Sequence, residues 1–217
     1  PFKMKKLLLI LLALPMIGFG QIEYSDTLYK MELPLNKETN LIEFDEVFLV
    51  NGVSKEELYS RAKEWFAIKF NSANNVIQMD DITNGKIIGK EIEDILITFM
   101  GNKKTKEMLH YTISLYLKEG RYRVKLNNFY FQVHPFPGLD DSSKMDAEST
   151  IIDMLYNKRG KPYKANKTRK EQLLLKSSQI IADLENGIDR DGIKNKYSLE
   201  SWEVKQMFMH PTLKGKK

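Results

Sequence analysis

The chain has 217 residues, no cysteine and a formal net charge of +5. Its shares of hydrophobic residues (42%) and charged residues (29%) are ordinary for a globular protein, which excludes a collagenous or wholly disordered chain. Because cysteine is absent, disulfides, thiol nucleophiles, cysteine-ligated metal centres and the lipidated cysteine of a bacterial lipoprotein are excluded as well.

The net positive charge comes from the two ends of the chain. Residues 1–20 contain three lysines and no acid, and residues 157–217 contain 15 bases and 7 acids, whereas residues 21–156 contain 16 bases and 22 acids. Only the C-terminal part is therefore basic enough to form a patch for a polyanion or an anionic surface.

The first twenty residues have the pattern of a secretory signal peptide. Lys5-Lys6 precede an apolar run, Leu7 to Leu14, and small residues stand at Gly18 and Gly20. A buried N-terminal helix is the alternative. The run is shorter than the roughly 20 residues of a membrane-spanning helix, and no later segment reaches that length. We expect cleavage after Gly20 and a mature protein in the periplasm or outside the cell, with no membrane-spanning helix and no nucleic acid partner.

The body of the chain begins with a strand and an amphipathic helix. Residues 41–50 (LIEFDEVFLV) are rich in β-branched and aromatic side chains, and Asn51-Gly52 ends this strand pattern. Ser54 followed by Glu57 forms a capping box, and apolar residues then recur at spacings of three and four. This pattern predicts a helix over residues 54–70.

Two β-hairpins follow the helix. In the first, residues 76–80 and 86–92 flank a turn with Asn84-Gly85, a dipeptide that suits positive φ angles. In the second, residues 109–118 alternate between apolar and polar side chains, and residues 121–126 return after Glu119-Gly120.

The alternation sets the register of the second hairpin. A two-residue turn pairs Leu117 with Tyr122 and Ile113 with Leu126, which places the apolar side chains of both strands on one face. At Asn127-Asn128 the apolar period jumps by three residues, which predicts a β-bulge that returns the later aromatic residues to that face.

The C-terminal part combines a loop with further helices. Residues 134–146 carry two prolines and no periodicity, so we expect a loop, and residues 147–157 are predicted to be helical. Thr168 and Glu171 predict the start of a helix that ends at Gly187, and a short helix is expected over residues 198–209. The apolar faces of these helices either pack back onto the domain or dock a partner.

The order strand, helix, four strands, helix predicts an α+β fold, with helices packed on one face of an antiparallel sheet. We divide the chain into a signal peptide (1–20), an N-terminal lead-in (21–40), an α+β domain (41–157) and a basic helical C-terminal extension (158–217).

The segment from Val47 to Lys90 resembles a bacterial secreted domain of unknown function that is described as having a TATA-binding-protein-like fold. The residues that carry the resemblance are Gly52-Val53-Ser54-Lys55 before the helix, Trp65 within it and Gly85-Lys86-Ile87-Ile88-Gly89 in the first hairpin. The likeness extends more loosely to Val133. It implies the same fold as the derived order and an export signal, but no activity, because the family has none assigned.

Motifs of catalysis and metal binding are absent from the sequence. There is no P-loop and no G-x-S-x-G, and the S-x-x-K match at Ser60–Lys63 lies in mid-helix without its partner motifs. The histidines, His110, His134 and His210, are too scattered for a ligand pair at helix or strand spacing. We therefore expect no enzymatic activity, no cofactor and no metal.

Two sets of residues are candidates for binding. Trp65, Phe66 and Phe70 either pack in the core or line a cavity for an apolar ligand beneath the sheet. A stretch of bases without acids is either a solvated linker or a patch that attaches to an anionic envelope surface. These bases are Lys158, Arg159, Lys161, Lys164, Lys167, Arg169 and Lys170.

These observations favour an exported, non-enzymatic binding or assembly module of the bacterial envelope. Its sheet face or a helix groove would contact a protein partner, and the basic extension would assist docking. The alternative is a carrier that holds a small apolar ligand between the aromatic helix and the sheet.

Overall fold

The computed structural model describes residues 28–70, 73–99, 101, 103–133 and 144–190. Three predicted segments lie outside the described residues. They are the signal peptide, the helix over residues 198–209 and most of the loop, residues 134–143.

Six strands form one antiparallel sheet. The order across the sheet is β1-β5-β4-β3-β2, and the short strand β6 pairs with β5 on the same side as β1 but farther along it. The strands are β1 (Phe44–Leu49), β2 (Ile77–Asp81), β3 (Lys86–Thr98), β4 (Lys104–Lys118), β5 (Arg121–Val133) and β6 (Lys144–Asp146).

Two long helices cover one face of this sheet. Helix α1 (Lys55–Lys69) contacts β4 and β5, the one-turn helix α2 (Ala73–Val76) leads into β2, and helix α3 (Lys164–Ile188) contacts β3 and α1. Ion pairs join Lys69 to Asp183 (2.7 Å) and Glu64 to Arg190 (2.6 Å), which requires α1 and α3 to run antiparallel. The predicted α+β architecture is therefore confirmed.

The predicted register of the second hairpin is confirmed. Lys118 pairs with Arg121, Leu117 with Tyr122 and Ile113 with Leu126. The register then shifts, because Thr112 pairs with Asn127 while His110 pairs with Tyr130. Two β5 residues, Asn128 and Phe129, thus oppose one β4 residue, and Asn128 has a φ of 54°. This is the β-bulge that the jump in the apolar period predicted.

Helix α1 begins as the sequence predicts. The Ser54 hydroxyl accepts a hydrogen bond from the Glu57 N–H (3.2 Å), while the Glu57 carboxylate pairs with Arg61 (2.8 Å) one turn later. At the other side of the helix, Tyr59 and Lys63 both donate to the Asp80 carboxylate and join α1 to β2. Hydrogen bonds from Lys63 and Tyr59 hold the pKa of Asp80 below its usual value.

Helix α3 differs from the sequence prediction at both ends. It begins at Lys164, four residues before the predicted cap, and the Thr168 hydroxyl donates to the Lys164 carbonyl inside the first turn (2.9 Å). Gly187 lies within the last turn rather than beyond it. A Cβ on Gly187 would lie 2.6 Å from Cδ1 of Trp65, so this glycine permits close contact between α3 and α1.

The segment before α3 is also less regular than predicted. Lys144–Asp146, predicted as loop, pairs with Tyr130–Gln132 as β6. The predicted helix over residues 147–157 is reduced to a short π-helical turn at Ser149–Asp153, closed by the Met154 N–H donating to the Ser149 carbonyl (3.0 Å). Ile151 and Leu155, four residues apart, are buried, whereas Ile152 and Met154 are exposed.

Candidate binding surface

The three aromatic residues predicted to pack in the core or line a cavity form one tightly packed cluster. The ring centroids of Trp65 lie 5.1 Å from Phe66 and 5.6 Å from Phe70, and all three side chains are buried. Glycines face two of the rings, since a Cβ on Gly89 would lie 2.7 Å from Phe66 just as one on Gly187 would clash with Trp65. These contacts favour interior packing over ligand contact for these side chains.

The seven bases predicted as a patch divide into two groups. Lys158, Arg159 and Lys161 are exposed in the loop before α3. The other four lie within α3, where Lys164 donates to the Gly101 carbonyl and the Lys167 ammonium lies 4.7 Å from the Tyr29 ring. Lys164 is exposed as well, but its ammonium is engaged with Gly101, so the loop before α3 holds three of the seven bases.

The remaining two bases are largely covered by the rest of the domain. Arg169 makes a two-bond ion pair with Glu107 (2.8 and 2.7 Å), whose side chain is 3% exposed. Lys170 is buried, and burial lowers its pKa. Neither side chain is available for a surface patch.

Acidic side chains on the helix-covered face of the sheet explain why α3 is basic. Tyr111 donates to Glu93 (2.8 Å), and Lys176 of α3 pairs with the same carboxylate (2.7 Å). Glu91 lies on this face as well, and burial, reinforced by the nearby Glu93 charge, raises its pKa. Part of the positive charge that the sequence places in the C-terminal region is thus used to dock α3 onto the sheet.

The opposite face of the sheet, which we call the open face, is covered by no helix among the described residues. Its side chains are those that alternate with the core positions, such as Thr112 and Ser114 on β4 and Lys125 on β5. Sequence reasoning identified the outward positions of β4 and offered a sheet face or a helix groove as the partner surface, but it named no residues of the open face as a site. The alternation in β1, β3 and β5 was the signal that could have found it.

Exposed aliphatic side chains lie on the open face along two strands that flank its centre. On β3, Ile92 is 53% exposed and Leu96 is 44% exposed, and on β1, Val47 is 47% exposed. Leu49 of β1 and Met79 of β2 are also exposed. Ile92 and Leu96 both lie on the outward side of β3. The exposed residues of β1 lie across β5 and β4 from them, so the aliphatic surface is divided between two regions of the open face.

The open face is strongly basic. Among the described residues, its strands place nine bases outward but only four acids, Asp45, Asp81, Asp94 and Asp146. The bases are Lys86, Lys90, Lys104, Lys106, Lys118, Arg121, Arg123, Lys125 and Lys144.

Some of these bases are paired with acids. Arg123 makes a two-bond ion pair with Asp45, which also contacts Lys125 (3.2 Å). The hydrogen bond from Arg123 holds the pKa of Asp45 below its usual value. Lys125 also pairs with Glu43 (2.7 Å), just before β1.

Other bases on the open face remain available. Among the described residues, no acidic side chain pairs with Lys90, Lys118 or Arg121. At the centre of the face, Thr112 and Ser114 are small and 7% exposed, so the longer flanking bases project beyond them.

The described residues contain no group of histidine, cysteine or carboxylate side chains that could hold a metal ion. Of the three histidines, His110 stacks on Tyr130 on the open face (centroids 4.1 Å apart), while His134 and His210 lie outside the described residues. None of the helices that the structure describes is long and apolar enough to cross a membrane.

Comparison with protein families identifies the sheet and its first helix. A family model described as a domain of unknown function (DUF4468) with a TBP-like fold matches residues 44–132, from the start of β1 to the penultimate residue of β5. This part of the chain is therefore similar to the DUF4468 family model with its TBP-like fold, which is the resemblance that the sequence indicated. A comparison with functionally curated proteins gives no match.

Two solved structures share the fold. A DUF4468 family protein from Bacteroides ovatus has a TM-score of 0.57 and 19% identity over 71% of this chain and 90% of its own. A TBP-like protein from Parabacteroides distasonis has a TM-score of 0.52 and 14% identity over 70% of this chain and 96% of its own. At these identities the likeness establishes the fold alone.

Proposed function

We propose that the protein is exported and acts as a non-enzymatic binding module of the bacterial envelope, with its open face docked on an acidic surface of a partner protein. The observation that carries this proposal is the composition of the open face, which combines exposed aliphatic side chains with an excess of bases. The signal-peptide pattern of residues 1–20 supports export.

The two parts of the open face have different roles in docking. Ile92, Leu96 and Val47 supply apolar surface whose removal from water favours association by about 25 cal/mol per Å². Lys90, Lys118 and Arg121 supply charge that selects an acidic partner and accelerates encounter. Because these bases are not neutralised by acids among the described residues, pairing with a partner breaks no ion pair there.

Export is tested by fractionating cells that express the full chain. The expected product lies outside the cytoplasm and begins with Gln21. A cytoplasmic product that retains Met4 contradicts this part of the proposal, whatever the open face binds.

Docking is tested by cross-linking in the envelope fraction with pairs of variants that change the charge equally. Lys90→Glu/Arg121→Glu reverses two bases on the open face, and Lys37→Glu/Lys103→Glu reverses two exposed bases elsewhere. Loss of one defined cross-linked partner in the first variant only, together with its release by salt, supports the proposal. Equal retention of the partner by both variants contradicts it.

The apolar contribution to docking is tested with a second pair of variants. Ile92→Ser/Leu96→Ser removes aliphatic surface from the open face, whereas Ile68→Ser removes a side chain that is 76% exposed on α1. The first variant is expected to lose the partner and the second to keep it. A partner lost only from the α1 variant would place the contact on the helices instead.

A further inference from the structure

A second exposed apolar group lies far from β1 and β3 in sequence, in the segment that connects β6 to α3. Within residues 152–163, Met154, Tyr156 and Tyr163 are 50–52% exposed and Ile152 is 38% exposed. We call this segment the 152–163 loop. Four large apolar side chains are thus exposed within twelve consecutive residues.

The 152–163 loop is held in shape by its own hydrogen bonds. The Asn157 side-chain oxygen accepts from the backbone N–H groups of Arg159 (2.8 Å) and Lys161 (3.1 Å). The Tyr163 N–H donates to the Leu155 carbonyl (2.8 Å), and Leu155 itself is buried in the domain. The loop therefore presents its exposed side chains from a fixed backbone, which reduces the entropy lost on binding.

The same loop carries the exposed part of the basic stretch. Lys158, Arg159 and Lys161 lie between the two exposed tyrosines, and no acidic side chain among the described residues pairs with any of the three. A short segment with exposed aromatic and aliphatic side chains beside unpaired bases matches the chemistry of an anionic lipid surface. Tyrosine is suited to the headgroup level, and each nearby base contributes about 1 kcal/mol of attraction to anionic lipid.

We propose that the 152–163 loop docks the protein on a membrane surface that contains anionic lipids. Met154, Tyr156 and Tyr163 enter the headgroup region, and Lys158, Arg159 and Lys161 contact lipid phosphates. A free phosphate would satisfy the bases but would leave the apolar side chains in water, so the exposed apolar side chains favour a lipid surface. This docking is independent of the open face, so each proposal can fail without the other.

The first test uses the absence of cysteine in the chain. The full chain with Tyr156→Cys carries one environment-sensitive fluorophore at the proposed contact, and Lys37→Cys carries it at an exposed control position. Vesicles of phosphatidylglycerol and phosphatidylcholine are expected to shift the emission of the label at position 156 to the blue and to leave the label at position 37 unchanged. Equal shifts at both positions, or none, would overturn the proposal.

The second test measures vesicle affinity by sedimentation. Lys158→Glu/Arg159→Glu/Lys161→Glu is compared with Lys30→Glu/Lys37→Glu/Lys103→Glu, which changes the net charge equally at exposed bases outside the loop and the open face. At about 1 kcal/mol per base, the loop variant is expected to bind roughly 100-fold more weakly, with only a small change in the control. Comparable losses in both variants would show attraction by net charge alone and overturn the assignment to the loop.

Two further measurements separate lipid from other anions. Met154→Ser/Tyr156→Ser keeps the bases, and its vesicle affinity is expected to fall at least tenfold. Unchanged affinity, or displacement of the vesicles by millimolar inorganic phosphate, would mean that phosphate alone is recognised. Sedimentation is repeated with the chain beginning at Gln21, which retains every described residue and removes the apolar N-terminal segment.

Discussion

The contact between Gly187 and Trp65 gives the sharpest test of how α3 docks on α1. In an exposed helix, Gly→Ala is expected to stabilise by about 1 kcal/mol because alanine has the higher helix propensity. At Gly187 the new Cβ would lie 2.6 Å from Cδ1 and 3.3 Å from Cγ of Trp65. Ordinary carbon contacts are about 3.5–4.0 Å, so one helix must move by roughly 1 Å.

The Trp65 ring has little room to make that movement. Its side chain is 5% exposed and contacts Phe66 and Phe70 edge-to-face. Overpacking of this kind costs about 1–3 kcal/mol. This cost equals or exceeds the gain of about 1 kcal/mol from the higher helix propensity of alanine. We therefore expect Gly187→Ala to lower the free energy of unfolding by up to about 2 kcal/mol.

Urea unfolding followed by circular dichroism measures the change. The matched control is the same substitution in a Trp65→Leu background, where the ring that meets the Cβ is absent. There Gly187→Ala is expected to be neutral or stabilising. If Gly187→Ala stabilises the protein that retains Trp65, the close packing of α3 on α1 is wrong.

Three further substitutions test buried contacts of α1 and α3. Arg169→Ala leaves Glu107 buried without its partner and should cost about 3–5 kcal/mol in urea unfolding, whereas Glu107→Leu/Arg169→Leu should recover most of that loss. The raised pKa of Glu91 means that its favourable contribution is complete below the unfolded-state pKa and is lost as the pH rises through the folded-state pKa. Glu91→Gln should therefore raise the melting temperature at neutral pH, and a difference that persists in acid would contradict this. Trp65→Ala should cost about 3–5 kcal/mol, whereas a ligand-lining side chain would leave the melting temperature nearly unchanged.

Local sequence patterns were sufficient to predict the structure of elements that have one buried face and one solvated face. The alternation of β4 and β5 predicted which residues pair, because a slip of one residue would have exposed Leu115 and Leu117 to water. The jump in that alternation predicted the bulge at Asn128. Ser54 predicted the start of α1, because its cap depends only on residues within one turn.

Local patterns failed where a distant contact decides the conformation. Thr168 looks like a helix cap, but α3 extends back to Lys164, where the side chain of Lys164 contacts Gly101 and that of Arg169 reaches Glu107. The glycine at position 187 resembles a helix terminator, but its role depends on Trp65, 122 residues earlier in the chain. The sequence alone cannot reveal such partners, because its spacing records only neighbours along one element.

The sequence by itself determined the class of fold, the register of the central hairpin, the absence of cysteine chemistry and the uneven charge along the chain. Tertiary structure alone decided which of the C-terminal bases remain at the surface. Lys170 is buried and Arg169 is held against the buried Glu107, while Lys158, Arg159 and Lys161 are exposed, although all five belong to one basic stretch. The physical reason is that the acids which neutralise α3 lie on β3 and β4, and only folding brings them beneath that helix.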